Sequence, residues 1–111
     1  MNIDQLFPSN YLRAEDVASP RVLTVRDIAV EELGDEKQKK PVLYFVEDAR
    51  GLVLNKTNAQ IVSHSLGKET GNWLGKKIEL RAEPVPFQGR IVDSIRVRVI
   101  QPARVAEDIE V

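Results

Sequence analysis

The chain has 111 residues, 42% of them hydrophobic and 30% charged, with 16 basic and 17 acidic side chains and a net charge of −1. That balance suits one soluble globular domain and excludes general disorder and a histone-like basic binder; the lack of cysteine excludes a disulfide frame and a cysteine-ligated zinc. No window approaches the run of about 18 apolar residues that a membrane span needs, and the start MNIDQLFPSNYL has no signal-peptide pattern, so a cytoplasmic protein without membrane contact is expected.

Residues 7–19, FPSNYLRAEDVAS, offer Ser9 and Asn10 as caps before Leu12, Ala14 and Val17, and predict an extended arm or a single helical turn. In RVLTVRDIAVEEL, Leu23 and Val25 share one parity while Ile28 and Val30 share the other. One extra residue flips strand alternation, so the pattern predicts a strand with a β-bulge near Arg26 and Asp27. The charged segment GDEKQKK opens on a Gly-Asp turn signal and predicts a loop. PVLYFVED, apolar and bounded by Pro41, predicts a central strand, and ARG then turns the chain into a short strand, LVLN.

There the hydrophobic period changes, with Ile61, Val62 and Leu66 at helical spacing. Thr57 and Gln60 match a capping box and Gly67 a C-terminal stop, so a helix is expected over KTNAQIVSHSLG. TGNWLGKK is a connector whose Trp73 is expected to pack beneath that helix. KIELRA alternates with Ile78, Leu80 and Ala82 on one face, and Val85 and Phe87 take the opposite parity, which predicts a second bulge around Glu83 and Pro84. Pro84 and Pro86 cannot donate ladder hydrogen bonds and belong on an edge, and Gln88-Gly89 reads as a two-residue hairpin turn. In IRVRVI, Ile95, Val97 and Val99 face inward, Arg96 and Arg98 outward.

Strand, strand, strand, helix, strand, strand is the order of the OB-fold, a small five-stranded Greek-key barrel, and bulged strands suit its closure. The expected fold is mainly β: an OB-like barrel over residues 1–104, with residues 1–19 as arm or short turn, and a short acidic tail over 105–111. The alternative is an open α+β sheet with one covering helix. FPSNYL, KPVLYF, GLVLNKTNA, GKKIEL, FQGR and IRVR, in that order across roughly residues 7–100, resemble a group of small uncharacterised proteins of phages and prophages. The resemblance implies a bacterial or phage setting and a single small domain, and carries no catalytic residue with it.

His64, the only histidine, lies mid-helix between Ser63 and Ser65 and reads as a helix-surface residue. The acidic pairs Glu15-Asp16, Glu31-Glu32, Glu47-Asp48 and Glu107-Asp108 sit at strand ends and loops, where neighbouring carboxylates diverge, and no glycine loop suits a phosphate. No catalytic residue, metal site or cofactor is expected, and the chain does not read as an enzyme.

The stronger candidate is the outer surface of the barrel. OB-folds bind oligonucleotides on the face of strands 2 and 3, flanked by the loops joining strands 1–2 and 4–5. The first loop would carry Lys37, Lys39 and Lys40, the second Phe87, Gln88 and Arg90; Tyr44 lies on strand 2 with parity opposite to Leu43 and Phe45, and Arg96 and Arg98 project from strand 5. Cations tracking phosphates and aromatic rings stacking on bases make a single-stranded DNA or RNA site, here Lys37, Lys39, Lys40, Tyr44, Phe87, Arg90, Arg96 and Arg98. Residues 76–104 carry seven basic side chains against three acidic ones, a mild basic bias far short of a strongly basic nucleic-acid binder.

Against it, Glu31, Glu32, Asp35 and Glu36 flank the lysines, which equally fits a solvated charged turn, and Tyr44 and Phe87 also fit core or edge packing. The tail AEDIEV is similar in kind to the acidic, apolar-ended tails through which single-stranded DNA-binding proteins recruit protein partners, although it lacks their Pro-Phe end. Single-strand binding in phage or prophage replication or recombination is therefore the first functional expectation, and a protein-interaction or assembly module on the same barrel the second.

Overall fold

A computed structural model describes residues 10–34 and 37–100. Two strand pairings share the first long strand, β1 (Arg21–Leu33). Its first part, Arg21 to Thr24, runs antiparallel to β4 (Lys77–Phe87), and its remainder, from Val25 onward, runs antiparallel to β2 (Gln38–Phe45). The register slips at the changeover: Val25 faces Phe45, Asp27 faces Tyr44, and Arg26 is the inserted residue. This is the expected bulge, and it lets one strand leave one partner for another. Leu23 and Val25 are buried and Ile28 packs against the core, but Val30 is 68% exposed, because the hairpin runs on past the core.

The expected loop is shorter than its charged sequence suggested. Gly34 and Lys37, both at positive φ, make the turn, and Gln38, Lys39 and Lys40 belong to β2. Register places Lys40 opposite Glu31 and Lys39 opposite Glu32, so facing charges of opposite sign favour continued pairing. Beyond it, β3 (Leu52–Val53) adds to the far edge of β2.

Helix α1 (Lys56–Leu66) starts from Asn55, not from the expected Thr57–Gln60 box: the Asn55 side chain accepts the backbone N–H of Asn58 at 2.8 Å. Asparagine is among the strongest N-caps, and starting here also buries Asn58, whose Nδ2 donates to the Ile95 carbonyl at 2.9 Å. Gly67 ends the helix as expected, at φ 94 with its N–H on the Ser63 carbonyl. A 3-10 turn over Thr70–Trp73 follows; Trp73 is buried, its indole N–H donating to the Gly67 carbonyl.

β4 and β5 (Arg90–Ile100) pair without interruption from Lys77↔Ile100 to Phe87↔Arg90. There is accordingly no bulge at Glu83 and Pro84. The change of parity there has another cause: Pro84 to Phe87 extend past the core, where neither face is buried. Only β5 flanks this part of β4, so both prolines lie on an edge. Gln88 (φ 50) and Gly89 (φ 77) form the hairpin turn, with the two positive φ values that such a turn requires.

The result is a five-stranded antiparallel sheet, ordered β3-β2-β1-β4-β5, with one helix. It is not closed into a barrel, since the end strands β3 and β5 do not pair. Each edge is met at one point by a neighbouring segment. Gly51, beside β3, bonds to the N-terminal arm through Leu12 N–H (2.8 Å) and the Asn10 carbonyl (3.0 Å), and Asn58 takes the Ile95 carbonyl of β5. The arm then makes a 3-10 turn over Ala14–Val17 that sends Val17, fully buried, into the core. Residues 1–9 and the acidic tail over 105–111 lie outside the described residues. Among those described, no helix is long and apolar enough to cross a membrane.

Candidate nucleic-acid interface

On β2, Tyr44 leaves the core face as its parity predicts, with Leu43 and Phe45 buried on either side. Its ring is not bare. The hydroxyl donates to Glu31 Oε2, Tyr11 donates to the other oxygen of Glu31, and the Arg26 guanidinium lies 5.8 Å from the Tyr44 ring centroid. Beneath this group Val42 is fully buried on the outer side of the sheet, apart from the main core. Gly51 makes the arrangement fit, because a Cβ there would lie 2.6 Å from a Val42 methyl and 3.0 Å from the Tyr44 ring.

The shared carboxylate sets the titration of the cluster. Hydrogen bonds from Tyr11 and Tyr44 hold Glu31 below its ordinary pKa, while the bond to Glu31 pushes Tyr44 up to about 12 and raises Tyr11. Nearby, Lys37 is exposed in the turn, Lys39 is exposed on β2, and Lys40 is half-buried opposite Glu31.

The remaining expected residues lie on the β4–β5 hairpin. Phe87 is 54% exposed and faces Arg90 across the turn. Further down the outer face, Arg81 pairs with Glu83 (2.5 Å) and Glu79, and Arg98 also pairs with Glu79 at 3.2 Å. Arg96 sits opposite Arg81, is half-buried, and has a buried Nη1 with no hydrogen-bond partner. The eight residues therefore form two groups, one on β2 and its turn and one on the β4–β5 hairpin, with β1 between the strands that carry them.

Several acids have structural work. Glu47 accepts both the N–H and the hydroxyl of Thr24 at 2.7 Å, which lowers its pKa. Asp48 is held well below the usual carboxylate range, first by the Arg50 side chain and also by Arg21; Arg50 in turn reaches Asp16 at 3.1 Å. His64 is exposed on α1. Among the described residues, no three His, Asp or Glu side chains gather as a metal site would need.

Sequence reasoning missed Glu31, Tyr11 and Arg26 as neighbours of Tyr44. The available signal was spacing: Glu31 lies four residues along β1 from Asp27, which faces Tyr44, and so on the same face of the sheet, a relation hidden while Gln38 to Lys40 read as loop. Comparison with protein-family models, with curated proteins and with solved structures gave no match.

Proposed function

We propose that the chain is a non-enzymatic module of OB-fold type that binds single-stranded nucleic acid, in phage or prophage DNA replication or recombination. The strand order supports the fold part of this reading. A β3-β2-β1-β4-β5 sheet with a helix between β3 and β4 and a bulged, shared β1 has the OB order, with the seam between its end strands left open. The observation that carries the binding part is the hairpin tip, where Phe87 and Arg90 present an aromatic face and a guanidinium together beyond the core. Single-strand binding without sequence readout rests on that pairing of stacking and charge. Lys37 and Lys39 add exposed cations on the β2 side. Tyr44 contributes less than its position promised, because Glu31 and Arg26 already engage it.

Fluorescence anisotropy with a labelled oligo-dT of about 25 nucleotides tests the reading, since OB domains occupy roughly 4–16 nucleotides. Micromolar or tighter binding that weakens with salt and exceeds duplex binding is expected; no binding even at low salt would retire it. A protein-assembly module is the second reading. It is favoured by Ile91, 70% exposed opposite Pro86 on the same hairpin. A stable oligomer in light scattering that Ile91→Glu dissociates would support it.

A further inference from the structure

A groove of about 560 Å³ lies between the start of α1 and the β4–β5 hairpin. Its walls differ in chemistry. Val85, Pro86, Phe87 and Val92 make an apolar side, while Arg96, with Ser94 and Asn55 nearby, makes a polar end. Asp93 also lines it and makes no ion pair with Arg96.

Arg96 differs from the other arginines of the hairpin. Arg81 and Arg98 are matched by Glu79 and Glu83, and Arg90 stands exposed at the tip. Arg96 is partly withdrawn from water, faces the like charge of Arg81, and has no carboxylate partner among the described residues. A desolvated guanidinium N–H without an acceptor is unfavourable, and phosphate and carboxylate oxygens are the acceptors whose geometry suits it. An uncharged peptide or lipid tail would fill the apolar wall but leave that donor unmet. Six positions of β5 separate Arg96 from Arg90, roughly 20 Å of strand, which fits a short run of polynucleotide better than a free phosphate.

We propose that this groove is the track for a single strand: Arg96 donates to one backbone phosphate, and Phe87 stacks on a base further along. The proposal rests on the single-strand reading above and assigns its contacts. Oligo-dT anisotropy across a salt series tests it, on wild type, Arg96→Ala, Phe87→Ala and, as control, Lys68→Ala. Arg96→Ala is expected to weaken binding about tenfold and to reduce the slope of log affinity against log salt by about 0.7, one phosphate contact. Phe87→Ala is expected to weaken binding about 5- to 150-fold with the slope unchanged. Lys68→Ala, exposed in the connector after α1 and outside the groove, should change affinity about twofold or less.

Should Arg96→Ala lower the melting temperature, Arg96→Gln replaces it, with the same slope change expected. Wild-type binding with unaltered affinity and slope in the Arg96 and Phe87 variants would overturn the track and leave the single-strand reading standing. No wild-type binding would remove both. Displacement of the oligomer by inorganic pyrophosphate as readily as by unlabelled oligo-dT would mean an anion site only, and would also overturn the track.

Discussion

Glu31 accepts hydroxyls from both Tyr11 and Tyr44, and this one carboxylate ties the N-terminal arm to the β1–β2 hairpin. The pH dependence follows from the signs of the shifts. Glu31 is lowered, so its contribution is complete above the ordinary value near 4.5 and is lost as pH falls through its folded value. Tyr44 is raised, so its contribution is complete below about pH 10 and is lost as pH rises toward about 12. Ultraviolet titration of tyrosinate should show a late component near pH 12 that moves back toward 10 in Glu31→Gln; an unmoved component would rule out the carboxylate as its cause. Gly51 is the second sensitive residue. The added methyl of Gly51→Ala would meet Val42 at 2.6 Å and the Leu43 carbonyl at 3.2 Å. A loss of about 1–3 kcal/mol is expected in urea unfolding, the usual range for overpacking.

The elements are held by contacts at their ends. The Asn55 cap starts α1, so Asn55→Ala should cost about 1 kcal/mol in urea unfolding, while Thr57→Ala, at an exposed position inside the first turn, should cost much less. The reverse ranking would place the helix start at Thr57. Asn58 holds the helix to β5 through the Ile95 carbonyl. Its loss in Asn58→Ala would leave a buried carbonyl unmet, at about 1–3 kcal/mol. The β4–β5 hairpin has a different character: regular in register to its tip, it carries Phe87 and Ile91 beyond the core. β1 pairs with it only at Lys77 to Leu80, and its tip is exposed.

Across the whole molecule, β1 joins two half-sheets, and the candidate cations divide between them. If both halves meet one strand of nucleic acid, combined Lys37→Glu, Lys39→Glu and Lys40→Glu should weaken oligo-dT binding about tenfold or more at low salt and flatten its salt dependence. Binding unchanged by that reversal, but lost in Phe87→Ala, would confine the interface to the hairpin. The distinction is useful because Lys39 and Lys40 face Glu32 and Glu31 across the strand pair, whereas Arg90 and Arg96 have no such neighbours.

What the sequence determined by itself is local. Strand parity located the β1 bulge near Arg26 and Asp27, a glycine stopped α1 at Gly67, and Gln88-Gly89 made the hairpin turn, because each depends on alternation or on backbone dihedrals within a few residues. Parity misled at Pro84, where the strand had left the core and alternation no longer reported burial. Only the tertiary structure decided the open seam between β3 and β5, the Tyr11–Glu31–Tyr44 group and the unmatched guanidinium of Arg96. Each of these is a competition among residues far apart in the chain for the same edge, carboxylate or buried donor, and the local pattern of the sequence carries no record of which competitor wins.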